Sequence, residues 1–322
     1  MPMFGFITSM EFTMFFTQYS LFLLKSLTVV VSTLITIAGI IALSRKPKPT
    51  LEILPLNKDY KQRQQLMQKI ILGTKGKKLK KSKTIRPKLY VIDFNGDIKA
   101  SQVQALRDEI SAILSIATNK DEVLIRLESP GGSVNAYCLA SSQLQRIRDH
   151  KITLTVCVDK LAASGGYLMA CVAQRILAAP FAIIGSIGVV AQLPNLHRWL
   201  KKQDIDVEVL TAGEYKRTLT IFGENTDKGR KKFIDDLEQI HHHFRDYVAK
   251  YRDKLNIDQV ATGEHWLATD ALKLNLIDEL QTSDDYLIQR MEHVDAYQVI
   301  MHVKQPLINK LLAPTARFLH CW

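Results

Sequence analysis

The chain has 322 residues, 47% of them hydrophobic and 23% charged, enough for one large domain with a sizeable core plus appendages. Its formal net charge of +11 is concentrated: residues 44–90 hold 15 Lys or Arg against Glu52 and Asp59, and the remainder of the chain carries −2. A basic surface spread over the main domain, as a nucleic-acid binder would show, is therefore excluded.

Residues 1–20 are rich in Phe and Met and suit a membrane interface. Ser26 to Leu43 is an uncharged, mostly apolar run of 18 residues, and with Leu21 to Leu24 ahead of Lys25 it reaches the length of a spanning helix, about 21–43. A cleaved signal peptide fits less well, because the start is not basic and no small-x-small site closes the run. Arg45, Lys46 and Lys48 outnumber Lys25, so the charge bias places the downstream domain in the cytoplasm. The run from Lys75 to Lys88, with Lys77, Lys78, Lys80, Lys81 and Lys83, reads as a solvated linker able to rest on anionic lipid. No aromatic residue interleaves with these lysines, so membrane lipid is the expected partner and nucleic acid is not.

Strands are predicted at Leu89–Phe94, Glu122–Leu127, Ile152–Val158, Arg175–Ala179 and Val207–Leu210, alternating with helical runs. That alternation argues an α/β fold with a largely parallel sheet. The second strand ends in Ser129-Pro130-Gly131-Gly132-Ser133, and Ala136 to His150 comes next as a helix with Leu139, Leu144 and Ile147 on one side. A glycine turn at a helix start leaves N–H groups able to receive a negatively charged oxygen, although glycines serving geometry alone would read the same way. Further along stands Leu161-Ala162-Ala163-Ser164-Gly165-Gly166-Tyr167. A nucleophilic serine needs such small neighbours and nearby N–H groups, and a tight packing turn needs them too. Lys216 lies in a loop, Thr211 to Thr218, from which it could reach into a cleft or simply remain solvated.

The remaining ionisable groups point to no cofactor and no metal. His241, His242 and His243 are consecutive on a predicted exposed helix and aim in different directions, a poor ligand set. Cys138, Cys157, Cys171 and Cys321 form no close-spaced framework, and three lie in apolar runs that suit buried thiols. Near the end, a helix over Thr269–Leu274 stops at Asn275, which tolerates the left-handed conformation.

Three segments in this order, Ser129-Pro130-Gly131-Gly132, Ala162-Ala163-Ser164-Gly165-Gly166-Tyr167 and Gly185-Ser186-Ile187-Gly188-Val189, resemble the S49 peptidases of the signal peptide peptidase A type. The resemblance covers about Leu89 to Leu280. It implies a ClpP/crotonase-like spiral of β-β-α units after the N-terminal transmembrane helix, and a membrane-anchored serine endopeptidase acting on peptide remnants or membrane-proximal proteins. It also implies roles: Ser164 as nucleophile, Lys216 of a Gly-x-x-Lys loop as base, Ser186 orienting the lysine, and the N–H groups of Gly131 and Gly165 forming the oxyanion hole. Members assemble into rings or domes in which a neighbouring subunit supplies the lysine, so a homo-oligomer is expected. The implied setting is a bacterial inner membrane, with outward-facing domains among the family as the rival to the cytoplasmic placement.

Such a lysine must lose its charge. At its usual pKa of about 10.4 roughly one in 2,500 is neutral at pH 7, so Lys216 is expected to be buried in the assembled enzyme, hydrogen-bonded to Ser186. The domain bounds read from sequence are 1–43, a basic linker 44–88, the peptidase domain 89–290 and a tail 291–322. Three other readings share much of this pattern: a crotonase-like acyl-CoA enzyme, a catalytically silent membrane scaffold, and a triad with His197 as base.

Overall fold

The computed structural model describes residues 4–44, 49–73 and 86–302. The lysine cluster 77–83, the cations 45–48, Cys321 and most of the expected tail lie outside the described residues. Two compact units are distinguished, one containing the N-terminal helix and the other running from Leu51 to Met301.

Helix α1 (Phe4–Ser44) is continuous. Residues 6–38 contain neither Gly nor Pro, so nothing breaks it where the expected interfacial segment meets the expected span. Its Met14–Ile37 stretch is long and apolar enough to cross a membrane. The hydroxyls of Thr28, Ser32, Thr33 and Thr36 all donate to carbonyls three or four residues back, which hides their polarity within the helix.

The second unit begins with β1 (Thr50–Pro55) and α2 (Leu56–Leu72), then β2 (Lys88–Asn95), α3 (Val103–Leu114), β3 (Glu122–Glu128), α4 (Val134–Asp149) and β4 (Thr153–Val158). Short elements come next: β5 (Leu161–Ala163), α5 (Gly165–Ala170), β6 (Arg175–Ala178) and β7 (Ile183–Gly185). After α6 (His197–Lys201) and the long α7 (Asp227–Tyr251), the chain closes with α8 (Ile257–Val260), β8 (His265–Leu267), α9 (Ala268–Lys273), β9 (Glu279–Leu280), α10 (Ser283–Met291) and β10 (Asp295–His302).

This is an α/β fold. One seven-stranded sheet runs β1-β10-β2-β3-β4-β6-β9, parallel from β10 through β9, and a second sheet runs β5-β7-β8. The central strands are covered on both faces, which is why they read as near-continuous apolar runs. Ile92, Phe94, Ile125 and Val156 face the core formed with α3, α4 and α5, while Leu89, Val91, Leu124 and Leu177 face Tyr286 and Leu287 of α10.

Four of the five predicted strands form within a residue or two of their expected ends. Val207–Leu210 does not: it is irregular, and Leu210 is 88% exposed. An alternating run becomes a strand only where a sheet edge accepts it, and among the described residues none does. The sheet also recruits strands from beyond the bounds drawn from sequence, β1 from the linker region and β10 from the tail region. The Asn57 side chain links these two: its amide donates to the carbonyls of Met291 and Val294, and its oxygen accepts from Ala296 N at 2.6 Å. Asn275 has φ +60 and closes α9 as expected, with its carbonyl held by Arg252, whose guanidinium also pairs with Asp278 at 2.9 Å.

Candidate active site

Short strand pairings bring the three glycine-rich segments together. Strands β5 and β7 run parallel in the register Leu161↔Ile183, Ala162↔Ile184, Ala163↔Gly185, so the next residue of each, Ser164 and Ser186, emerges at the same end. Ser164 N donates to Gly185 O at 2.8 Å and locks that register. On the other side Ser129 bridges to Ala162, with Ser129 N donating to Leu161 O at 2.8 Å and Ala163 N to Ser129 O at 3.0 Å. The Ser129–Gly132 turn is thereby zipped beside the Ser164 turn.

Both serines sit on strained backbone. Ser164 has φ +51 and ψ −119, and Ser186 has φ +53, conformations that residues with a side chain adopt only when their surroundings enforce them. Ser164 is also the N-cap of α5, whose first amides have no intrahelical partner, so Gly165 N–H stands at a helix start beside the serine.

Packing here demands glycine, as Gly131 and Gly165 show. Gly131 has φ +84, and a Cβ on it would fall 2.6 Å from Gly165 N and 2.8 Å from Ser164 Cβ. A Cβ on Gly165 would fall 2.4 Å from Cγ of Tyr137, a fully buried ring. The two turns therefore touch through backbone.

A buried hydrogen-bond chain supports the first turn. Tyr137 Oη donates to Asp97 O at 2.7 Å, so its bond of 2.7 Å to Ser129 Oγ must be one it accepts. Ser129 Oγ in turn accepts from Gly131 N–H at 3.1 Å. Of the two amides expected to hold an oxyanion, Gly131's is thus engaged with a neighbouring hydroxyl, at the long end of hydrogen-bond range.

Ser164, Ser186, Gly131 and Gly165 all line one cleft of about 1,120 Å³. Its far wall is α7, which contributes Leu237, Ile240, Phe244 and Tyr247 at helical spacing, together with His241 and His243. The apolar period of this wall is visible in sequence, but nothing local says which cleft it faces. His241 Nε2 is buried without a hydrogen-bond partner among the described residues, and His242 instead pairs with Asp246 at 2.9 Å.

Lys216 is not in this cleft. It is exposed, in a turn where its N–H donates to Gly213 O at 3.1 Å, and no hydrogen bond joins it to Ser186 among the described residues. The burial expected for it is absent in the single chain. His197 lies on α6 and also does not line the cleft, so the triad reading gains no geometry. The segment from Val189 to Asn225 that carries Lys216 is held together by its own contacts, including Leu196 N to Ile221 O at 2.7 Å and Asn195 Nδ2 to Thr220 O at 2.9 Å. Its large apolar residues stand open: Val190 is 91% exposed and Trp199 59%.

The cysteines differ among themselves. Cys157 and Cys171 are buried, and burial pushes both thiols far up from their ordinary range. Cys138 is exposed at the cleft, where partial burial also raises its thiol.

Known proteins match over most of the length. The profile of Peptidase family S49 covers residues 146–297, and that of Peptidase family S49 N-terminal covers residues 14–144. A protein from Haemophilus influenzae named "Probable protease SohB" is 46% identical over 321 residues, spanning 91% of both chains. A second of that name, from Buchnera aphidicola subsp. Schlechtendalia chinensis, is 47% identical, over 86% of this chain and 99% of its own. Among solved structures, a lysine-to-alanine mutant of the 1510-N membrane-bound stomatin-specific protease, in complex with a substrate peptide, aligns over 71% of this chain and 99% of its own, with 18% identity and a TM-score of 0.44.

Proposed function

We propose that this chain, which belongs to peptidase family S49, is a membrane-anchored serine endopeptidase in which Ser164 attacks the peptide carbonyl and Lys216 serves as base. The observation that carries the reading is the β5/β7 register, which sets Ser164 on strained backbone at the start of α5, beside Ser186 and against Gly131, in an open cleft.

In the proposed reaction a neutral Lys216 Nζ takes the proton of Ser164 Oγ as that oxygen bonds to the substrate carbonyl carbon. Negative charge moves to the carbonyl oxygen, which accepts hydrogen bonds from Gly165 N–H and from Gly131 N–H, the latter shared with Ser129 Oγ through its long bond of 3.1 Å. Collapse of the tetrahedral species breaks the C–N bond, the lysine returns its proton to the leaving amine, and an ester on Ser164 remains. Water, deprotonated by the same lysine, hydrolyses that ester and regenerates the serine.

The exposed position of Lys216 supports supply of this base by a second copy. A solvated amine stays protonated at neutral pH, whereas one inserted into a neighbour's apolar cleft loses hydration and with it charge. The open apolar residues of the same segment, Val190, Trp199 and Leu210, are what a subunit contact would cover. We infer a homo-oligomer whose cleft is completed by the neighbour's Lys216, with Ser186 receiving the amine. Substrates are peptides or membrane-proximal proteins at an inner membrane, and the charge flanking α1 favours a cytoplasmic catalytic unit.

The test is complementation. Full-length Ser164→Ala and Lys216→Ala chains, each assayed on a fluorogenic peptide, are expected to be inactive alone and to regain part of the activity when mixed and reassembled. Undiminished turnover in either single variant overturns the dyad; inactivity of both with no recovery on mixing overturns supply in trans.

A further inference from the structure

Helix α2 leaves the body of the peptidase unit almost bare. Its first turn is fixed by Leu56 against the α10 core and by Asn57, yet it contains no buried residue, and every position from Lys58 to Leu72 is exposed. Its residues are nonetheless sorted. Tyr60, Leu66, Met67, Ile70 and Ile71 fall on one side, with Asp59 in the first turn beside them, while Lys58, Lys61, Gln65 and Lys69 fall on the opposite one together with the terminal Leu72. Ile70 is 70% exposed and Leu66 58%. An apolar stripe of this kind has no reason to persist in water.

We propose that α2 is an interfacial helix that lies in the plane of a membrane containing anionic lipid, its apolar stripe sunk to the level of the acyl chains. Three features favour lipid over a protein partner. The helix combines low overall hydrophobicity, a division of faces and lysines on the polar face, the pattern of helices that lie on membranes rather than cross them. Its cations, Lys58, Lys61, Arg63 and Lys69, outnumber the single acid Asp59 and complement an anionic surface. Arg63 falls on the apolar side, where its long stem can run along the stripe and carry the guanidinium out to the headgroups.

The third feature is the tether. Only residues 38–55, of which 38–44 complete α1, separate the apolar stretch of α1 from α2, a chain that could reach no more than about 65 Å even if fully extended. The proposal rests on the reading of α1 as a membrane anchor, since the anchor holds α2 within reach of the bilayer at all times. That raises its effective concentration at the surface and lets a short, weakly apolar helix dock. Docked α2 would fix the height of the cleft above the bilayer, because Asn57 couples the helix directly to β10 and through it to the sheet.

Full-length protein carrying Ile70→Trp or Gln65→Trp, reconstituted in vesicles with brominated acyl chains, tests this. Lipid quenching beyond that of the parent chain is expected for Ile70→Trp and not for Gln65→Trp, in phosphatidylcholine containing roughly a third phosphatidylglycerol, and less in phosphatidylcholine alone. Replacing Lys58, Lys61 and Lys69 together by Gln should weaken docking on the order of a hundredfold and abolish the difference between the two lipids. Equal quenching at both positions, or none at Ile70→Trp, overturns the proposal; shielded Ile70→Trp emission without lipid quenching would assign the stripe to a second copy or to the chain's own C-terminal residues. Vesicle flotation of the same samples reads the anchoring by α1 separately, so failure of the anchor and failure of α2 to dock are distinguishable.

Discussion

Replacing Tyr137 by Phe removes one oxygen from the chain Gly131 N–H to Ser129 Oγ to Tyr137 Oη to Asp97 O, and leaves the ring that packs against Gly165 in place. Tyr137 and Ser129 are both fully buried, so no water replaces the lost partner at Ser129, while the Asp97 carbonyl keeps the Ala100 N–H at 2.9 Å. Leaving a buried hydroxyl unpaired costs about 1–3 kcal/mol, so a loss near 2 kcal/mol is expected. For a unit of this size that corresponds to a fall in Tm of about 4–8 °C. The functional consequence is separable from the structural one. Ser129, released from Tyr137, no longer fixes the orientation of Gly131 N–H, which in the proposed reaction meets the oxyanion only in the transition state; kcat should then fall roughly tenfold with KM little changed, less than the hundredfold or more that outright loss of a donor brings. Melting curves and initial rates on one peptide substrate measure both. A lowered Tm with unaltered kcat would show that the chain only holds the fold, and an unaltered Tm would refute the reasoning from burial altogether.

Two further outcomes rest on other contacts. Glu109 on α3 is 6% exposed and accepts from Met301 N of β10 at 2.7 Å, and burial pushes its carboxyl up to about 7 despite that bond. Because the folded value lies above the unfolded one, this group's contribution is full below about pH 4.5 and is lost as pH rises through about 7, a decline of about 3 kcal/mol; Glu109→Gln should flatten denaturant midpoints across that window, and an unchanged slope would count against it. Gly165→Ala drives a methyl to within 2.4 Å of the Tyr137 ring. It should cost about 1–3 kcal/mol through overpacking and depress peptidase activity more than Tyr137→Phe, since it displaces Ser164 itself; wild-type turnover would contradict the packing described.

Much of the fold was legible because its signals are local. Buried parallel strands read as apolar runs, and Leu89, Leu124 and Val156 lie where those runs predicted. Asn275 announced the end of α9 by its tolerance of the left-handed conformation. The failures have one cause. Val207–Leu210 has a strand's alternation without a sheet edge, while Thr50–Pro55 and Asp295–His302 have weaker patterns and find one. Pairing partners far apart in sequence decide such segments, and propensity does not see them.

The candidate site divides along the same line. Residue type and spacing alone determined that Ser164 stands among small residues at a helix start, and that a glycine turn precedes it, because only small residues permit such close backbone approach. Tertiary structure decided that Ala163 pairs with Gly185, which sets Ser164 beside Ser186, and that α7 walls the cleft with His241 and Phe244. It also decided the surroundings of Lys216, which no spacing encodes: in the single chain its turn stands exposed and outside the cleft, because contacts distant in sequence and not the Gly-x-x-Lys spacing set where that loop lies.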